Sequence, residues 1–135
     1  IDGVYYVAWQ YDFYGITLVN YVDAYDMNTW EKLSHTEIKS LGMFASDVSL
    51  DPISGKVFGC YINNDGDGYV FGTADYVNLT RTAIAPIDVQ WNGVAFDSDG
   101  TLYAIDMNGD LLIVDKGTGA TTKVGSTGVT PKYQS

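Results

Sequence analysis

The residues of this chain best spaced for chemistry are Asn63-Asn64-Asp65-Gly66-Asp67-Gly68. Oxygen-bearing side chains at every second position can converge on one hard cation, and glycine permits the bend that brings them together. With Asn63 in the first ligand position, Asp65 takes the third and Asp67 the fifth, and Gly68 follows. The twelfth position, where a calcium loop places a bidentate carboxylate, holds Ala74, and Asp75 comes one residue late. Two readings therefore stand side by side: a calcium ion on Asn63, Asp65 and Asp67, or a plain hairpin turn. The first would bring a helix over Thr73 to Ile84; the second makes the same residues turn and strand.

Other chemistry is sparse. Asp51, Asp97 and Asp115 recur at matched places, where a carboxylate that accepts backbone N–H groups would stabilise a bend. Paired acid–base catalysis would require two carboxylates across a pocket. His35 is the single histidine and Cys60 the single cysteine, so no intrachain disulfide forms, and the apolar surroundings of Cys60 make it a buried core residue. There is no glycine-rich phosphate loop, H-E-x-x-H, C-x-x-C or G-x-S-x-G in the chain. Aromatic residues are the more suggestive class. Trp9, Tyr11 and Tyr14 crowd into Trp9 to Gly15, read as a turn, and Trp91 precedes Gly93. Rigid amphipathic rings of this kind suit recognition surfaces, so these four are the candidate binding residues. For Trp91 the competing role is packing between neighbouring sheets.

The elements that must position these residues follow from a repeat. Gly93 to Val124 contains four short apolar or alternating runs, separated by Asp99-Gly100, Asn108-Gly109 and Lys116 to Gly119. Asp-Gly and Asn-Gly accept the positive φ of tight turns, so each run should double back on its neighbour, giving four antiparallel strands. Asp47-Val48-Ser49-Leu50-Asp51 with Ser54-Gly55 and Lys56-Val57-Phe58 is an earlier copy. Asp97 lies 46 positions after Asp51, and Gly100 lies 45 after Gly55. Gly3 to Ala8 parallels Gly100 to Ile105, and Asp26-Met27-Asn28-Thr29 parallels Asp115 to Thr118. Trp30 falls where Gly119 stands, which predicts a different turn. Trp30 to Leu33 is read as a short outer strand, Ser34 to Phe44 as a loop, and Ala85 to Gln90, with Pro86, as a link between units.

The pattern formed by Val94, Phe96, Asp97, Gly100, Leu102 and Tyr103, then Leu112, Val114, Asp115, Thr118 and Gly119, resembles the repeat of extracytoplasmic beta-propellers of the NHL and YVTN kind. The resemblance covers about two thirds of the chain. It implies an all-β fold of four-stranded antiparallel propeller-type blades in an incomplete ring: a partial blade over 1–33 and blades over 47–84 and 93–125 of a single β-domain. It also implies a secreted or extracytoplasmic location, in the periplasm or at the cell surface.

A chain of 135 residues with 46% hydrophobic content can build a real core, but is too short for a ring of four or more blades. It is therefore expected to be a fragment of a longer propeller, or to close by self-association or with another chain; its start at Ile1 fits removal of a leader or a larger N-terminal portion. A formal charge of −10 disfavours nucleic acid and anionic lipid as partners, and no run is long enough to insert in a membrane. The expected function is a non-enzymatic binding or scaffold module with a protein or glycan partner and no cofactor other than the calcium just weighed. The alternative is part of a propeller hydrolase or lyase that would use Asp or Glu with His35 and residues from missing blades.

Overall fold

The computed structural model describes residues 1–13, 17–38, 45–63 and 67–129, apart from the side chains of 10–13, 17 and 18. Within these residues the chain is all-β and forms three separate antiparallel sheets. The first sheet contains β1 (Val4–Phe13), β2 (Thr17–Asp26) and β3 (Lys32–Ile38). The second contains β4 (Ala45–Leu50), β5 (Val57–Ile62), β6 (Tyr69–Asp75) and β7 (Thr80–Ile87). The third contains β8 (Trp91–Phe96), β9 (Leu102–Asp106), β10 (Asp110–Val114) and β11 (Thr121–Ser126). In each sheet the strands neighbour one another in chain order, no strand is shared between sheets, and the array is open. No helix among these residues is long and apolar enough to cross a membrane.

A single turn chemistry reverses the chain at six places. Asp26, Asp51, Asp75, Asp97, Asp106 and Asp115 each accept, through Oδ1, the backbone N–H two residues ahead, at 2.7–3.2 Å. A residue of positive φ then closes each bend, three or four positions after the aspartate: Trp30, Gly55, Leu79, Gly100, Gly109 and Gly119. The expected difference at Trp30 does not hold. Its φ is 59°, close to the 73° of Gly119, and its N–H reaches Asp26 O just as that of Gly119 reaches Asp115 O. A left-handed conformation costs an ordinary residue about 1–2 kcal/mol, so the aspartate scaffold evidently outweighs the preference of the side chain.

Packing follows from sheet order. The second sheet lies between the other two and is buried on both faces, which is why Val57 to Tyr61 form a continuous buried run. Phe58, Cys60 and Phe71 face the third sheet and meet Trp91, Val94, Leu102 and Leu112. Val57, Tyr61, Val70 and Ala74, on the opposite face, meet Val22 and Ile38 of the first sheet. The third sheet has one covered face, and β9 alternates accordingly: Leu102 and Ala104 are buried while Tyr103 and Ile105 are half-buried. Cys60 is fully buried, and burial pushes its thiol up.

Contacts between β4 and β8 join the second and third sheets. Val94 N donates to Asp47 Oδ2 at 2.9 Å, Phe96 N to Ser49 Oγ at 3.3 Å and Gln90 Nε2 to Ser46 Oγ at 2.9 Å. At the far end of β4, the ammonium of Lys116 reaches across to Asp51, 1% exposed, at 2.9 Å. Burial alone would raise this carboxyl, but the Ile53 N–H, the Ser54 hydroxyl and Lys116 together hold it at about 2.

Three sequence expectations change. Trp9 to Phe13 is not a turn but the second half of β1, paired with residues 17–21 of β2. Ser34 to Ile38 is strand, because β3 is an edge whose mostly exposed residues give no apolar alternation to read. Pro86 sits within β7, opposite Val70, on an edge strand where its missing N–H costs no ladder bond on the outer side. Thr73 to Ile84 takes the strand and turn alternative rather than the helix.

Two experiments test this scheme. A Cβ added at Gly119 would lie 2.6 Å from Ala85 Cβ and 3.2 Å from Phe71 Cδ1, while one added at Gly55 meets nothing within 4 Å. In urea denaturation Gly55→Ala should therefore cost about 1 kcal/mol and Gly119→Ala about 2–4 kcal/mol. The Asp51 carboxyl titrates lower in the folded state than its ordinary 3.8. Its contribution is thus present above about pH 4 and lost as pH falls toward 2. Asp51→Asn should lower stability at neutral pH and flatten the acid limb of a stability–pH curve; an unchanged limb would contradict the assignment.

Candidate functional site

On β2, Val22 and Ala24 point into the core shared with the second sheet, so alternation turns Tyr21, Asp23 and Tyr25 to the opposite face. Register then assembles a cluster there. Trp9 of β1 stands opposite Tyr21, and His35 of β3 opposite Asp23. The Trp9 and Tyr21 rings stack at 4.7 Å and 29°, and Tyr21 stacks on the His35 imidazole at 4.6 Å and 18°. Three strands are thus tied by one aromatic row, a cross-strand arrangement that stabilises the sheet as well as presenting ring edges.

Asp23 is the hub of the cluster. It is 4% exposed, yet its carboxylate accepts from Trp9 Nε1 at 3.0 Å and Lys32 Nζ at 3.0 Å, and its Oδ1 lies 2.6 Å from His35 Nδ1. Burial would raise the carboxyl; the contacts with His35, Lys32 and Trp9 overcome it and hold the group at about 2. The Lys32 ammonium is raised in turn by its bonds to Asp23 and Tyr25. His35 and Lys32 remain about half exposed, so the cluster has a buried anion beneath accessible donors.

Position in the repeat gives this carboxylate its meaning. Asp26, Asp75 and Asp115 mark the same turn in the three sheets, and three residues before each stand Asp23, Gly72 and Leu112. Where the other two sheets place a glycine or a leucine, the first sheet places a charge with two basic partners. A face built so would lose those polar interactions if another apolar sheet were laid on it.

The sequence-derived candidates fare differently. Trp9 is in the cluster. Tyr11 lies on β1, but its side chain, like all of Tyr14, is outside the described residues. Trp91 is 2% exposed and packs on Phe71 at 5.2 Å, so its ring is part of the core between the second and third sheets rather than a contact surface. Asp65 also lies outside the described residues. Asn63 closes a turn through its N–H to Gly68 O at 3.0 Å, and its Nδ2 approaches Asp67 O at 3.4 Å. No group of three or more His, Cys, Asp or Glu suited to a metal occurs among the described residues. Asp51 and Asp115 cap turns as expected, and Asp97 does the same.

Sequence reasoning missed Tyr21, Asp23 and Lys32. The available signal was an aspartate inside the run Tyr21-Val22-Asp23-Ala24, which becomes informative only when strand register is known. Chemically, the Asp23–His35 pair could hold and orient a proton. No described hydroxyl or thiol makes a hydrogen bond to this imidazole, and Cys60 is in the other core cluster. No protein-family model matches the chain, and no curated protein sequence matches it.

Removing the hub should be felt in folding. Asp23→Ala leaves the part-buried Trp9 N–H without its acceptor, with an expected loss of about 1–3 kcal/mol in urea unfolding and a shift in tryptophan emission. Lys32→Met, which leaves Trp9 and His35 bonded to Asp23, should change stability much less.

Proposed function

We propose that this protein is a non-enzymatic binding module of extracytoplasmic type, built from propeller-type blades in an incomplete ring. It meets its partner through the outer face of the first sheet. The observation that carries this reading is Asp23, held by Trp9, Lys32 and His35 at a place where the other sheets are apolar. Such a face favours a hydrated ligand over another sheet. Ring edges of Trp9 and Tyr21 beside imidazole and ammonium donors match a glycan, which offers apolar C–H faces and hydroxyl groups together. The charge of −10 selects against acidic sugars and favours neutral or amino-sugar glycans.

The extracytoplasmic location rests on the resemblance to NHL- and YVTN-type repeats alone, and the blade assignment is supported by the recurrence of Val94 to Tyr103 in Val48 to Phe58. The blade assignment is further supported by the common aspartate turn of all three sheets.

A glycan array probed with labelled protein tests the reading, followed by calorimetry on the best hits. His35→Ala and Trp9→Phe should each weaken binding by about tenfold or more, measured at a temperature where both variants are fully folded, because each also removes a contact to the buried Asp23. Absence of binding to neutral and amino-sugar glycans would end the glycan reading; a protein captured through the same two residues would move the site to a protein partner.

A further inference from the structure

An asparagine followed by glycine can modify itself, because the glycine N–H has no side chain beside it to shield it from the asparagine amide carbon. The chain has two such pairs, Asn92-Gly93 and Asn108-Gly109. They sit in different surroundings. Asn92 is half-buried within β8, at the bulge against β9, and its Oδ1 is sealed from solvent. Extended backbone turns its side chain away from the next peptide N–H, and exposing the pair requires strands to part. Asn108 is exposed in the turn between β9 and β10, and a turn opens at lower cost than a strand inside a sheet.

A second comparison isolates the glycine. Asn78 holds the corresponding place between β6 and β7, just before the residue of positive φ that closes the bend, and its Nδ2 donates to Asp75 Oδ2 at 2.6 Å. Asn108 Nδ2 donates likewise to Asp106 Oδ2 at 3.3 Å. The closing residue is Leu79 in the one turn and Gly109 in the other. Glycine is required at 109, where φ is 80° and a Cβ would run into the Val129 carbonyl. Thr127 holds it in place, its N–H and hydroxyl donating to Gly109 O at 2.9 and 2.7 Å. The Gly109 N–H donates to Asp106 O at 3.0 Å, so any reaction at this nitrogen waits for that bond to open.

We propose that Asn108 is a site of spontaneous deamidation, and that the turn around it is a one-way switch in the third sheet. When the Gly109 N–H leaves Asp106 O, the nitrogen gives its proton to solvent and attacks Cγ of Asn108. The N–Cγ bond forms, the Cγ–Nδ2 bond breaks, and Nδ2 departs as ammonia with a proton taken back from solvent. Water then adds to one of the two carbonyls of the cyclic imide. Opening on one side gives aspartate; opening on the other gives isoaspartate, with the main chain routed through the side-chain carbon. Both products work against the turn. Asp106 accepts through Oδ1 from the N–H groups of Asn108 and Asp110, each at 2.9 Å, and through Oδ2 from Asn108 Nδ2. Aspartate puts a like charge where that last donor stood. Isoaspartate lengthens the backbone between the two N–H groups that Oδ1 must span. The hairpin of β9 and β10 is thus loosened by a step that does not reverse.

The test is to age the whole protein in heavy-oxygen water at mildly alkaline pH, below its melting temperature and beside a sample unfolded in urea, and to sequence its peptides by mass spectrometry. In urea Asn92 and Asn108 should both convert while Asn78 lags. In the folded protein Asn108 should convert at least about tenfold faster than either Asn92 or Asn78, with the oxygen label at residue 108 and isoaspartate in excess over aspartate. Thr127→Val removes one of the two bonds that hold Gly109 O, and should raise the Asn108 rate about two- to tenfold. Asn108→Asp, which makes the simpler product directly, should lower the urea midpoint. Protection of Asn108 by folding equal to that of Asn92, or conversion of Asn78 at the Asn108 rate, would overturn the site. An unchanged midpoint in Asn108→Asp would overturn the switch. Should Thr127→Val not fold, the ratio of Asn108 to Asn92 conversion in the unaltered protein still decides.

Discussion

The structure depends on a carboxylate accepting the backbone N–H two residues ahead of it. Each such aspartate preorganises a bend, fixes where one strand ends and the next begins, and so sets which side chains face each core. It also accounts for much of the acidity. Six of seventeen acidic residues serve these turns, so the low isoelectric point of about 4.1 reflects in good part how the chain reverses. Side chains placed at the closing position can then vary from glycine to tryptophan, because the bend is already fixed by the aspartate.

Order along the array explains the rest of the packing. A sheet with neighbours on both sides needs apolar residues on both faces, and the second sheet has them; the flanking sheets need one apolar face each. The two flanking sheets use their outer faces differently. The first carries Asp23 with its basic partners, whereas the third carries half-buried Tyr103 and Ile105 and exposed Ile113.

Much of the fold was legible in the sequence because turns and repeats are local signals. Asp99-Gly100, Asn108-Gly109 and the matched aspartates located the strands of the third sheet and the first two strands of the second. Legibility failed where length or register decided the outcome. β1 continues through Trp9 to Phe13 because β2 is equally long and supplies partners for it, and no local motif states the length of a strand. β3 is polar because it is an edge, so Ser34 to Ile38 gave no period to detect. The candidate site was half visible: Trp9 and His35 stood out by type. Asp23, which unites them, needed the pairing of three strands before it could be found.

Cys60 gives the molecule a built-in reporter. Its thiol is sealed in the layer where the second sheet meets Trp91 and Val94 of the third, with no exposed surface. A thiol-specific reagent can reach it only when those two layers separate or the second sheet itself opens. The rate of labelling at this single sulfur therefore reads the opening of one seam in an unmodified chain, without an introduced probe.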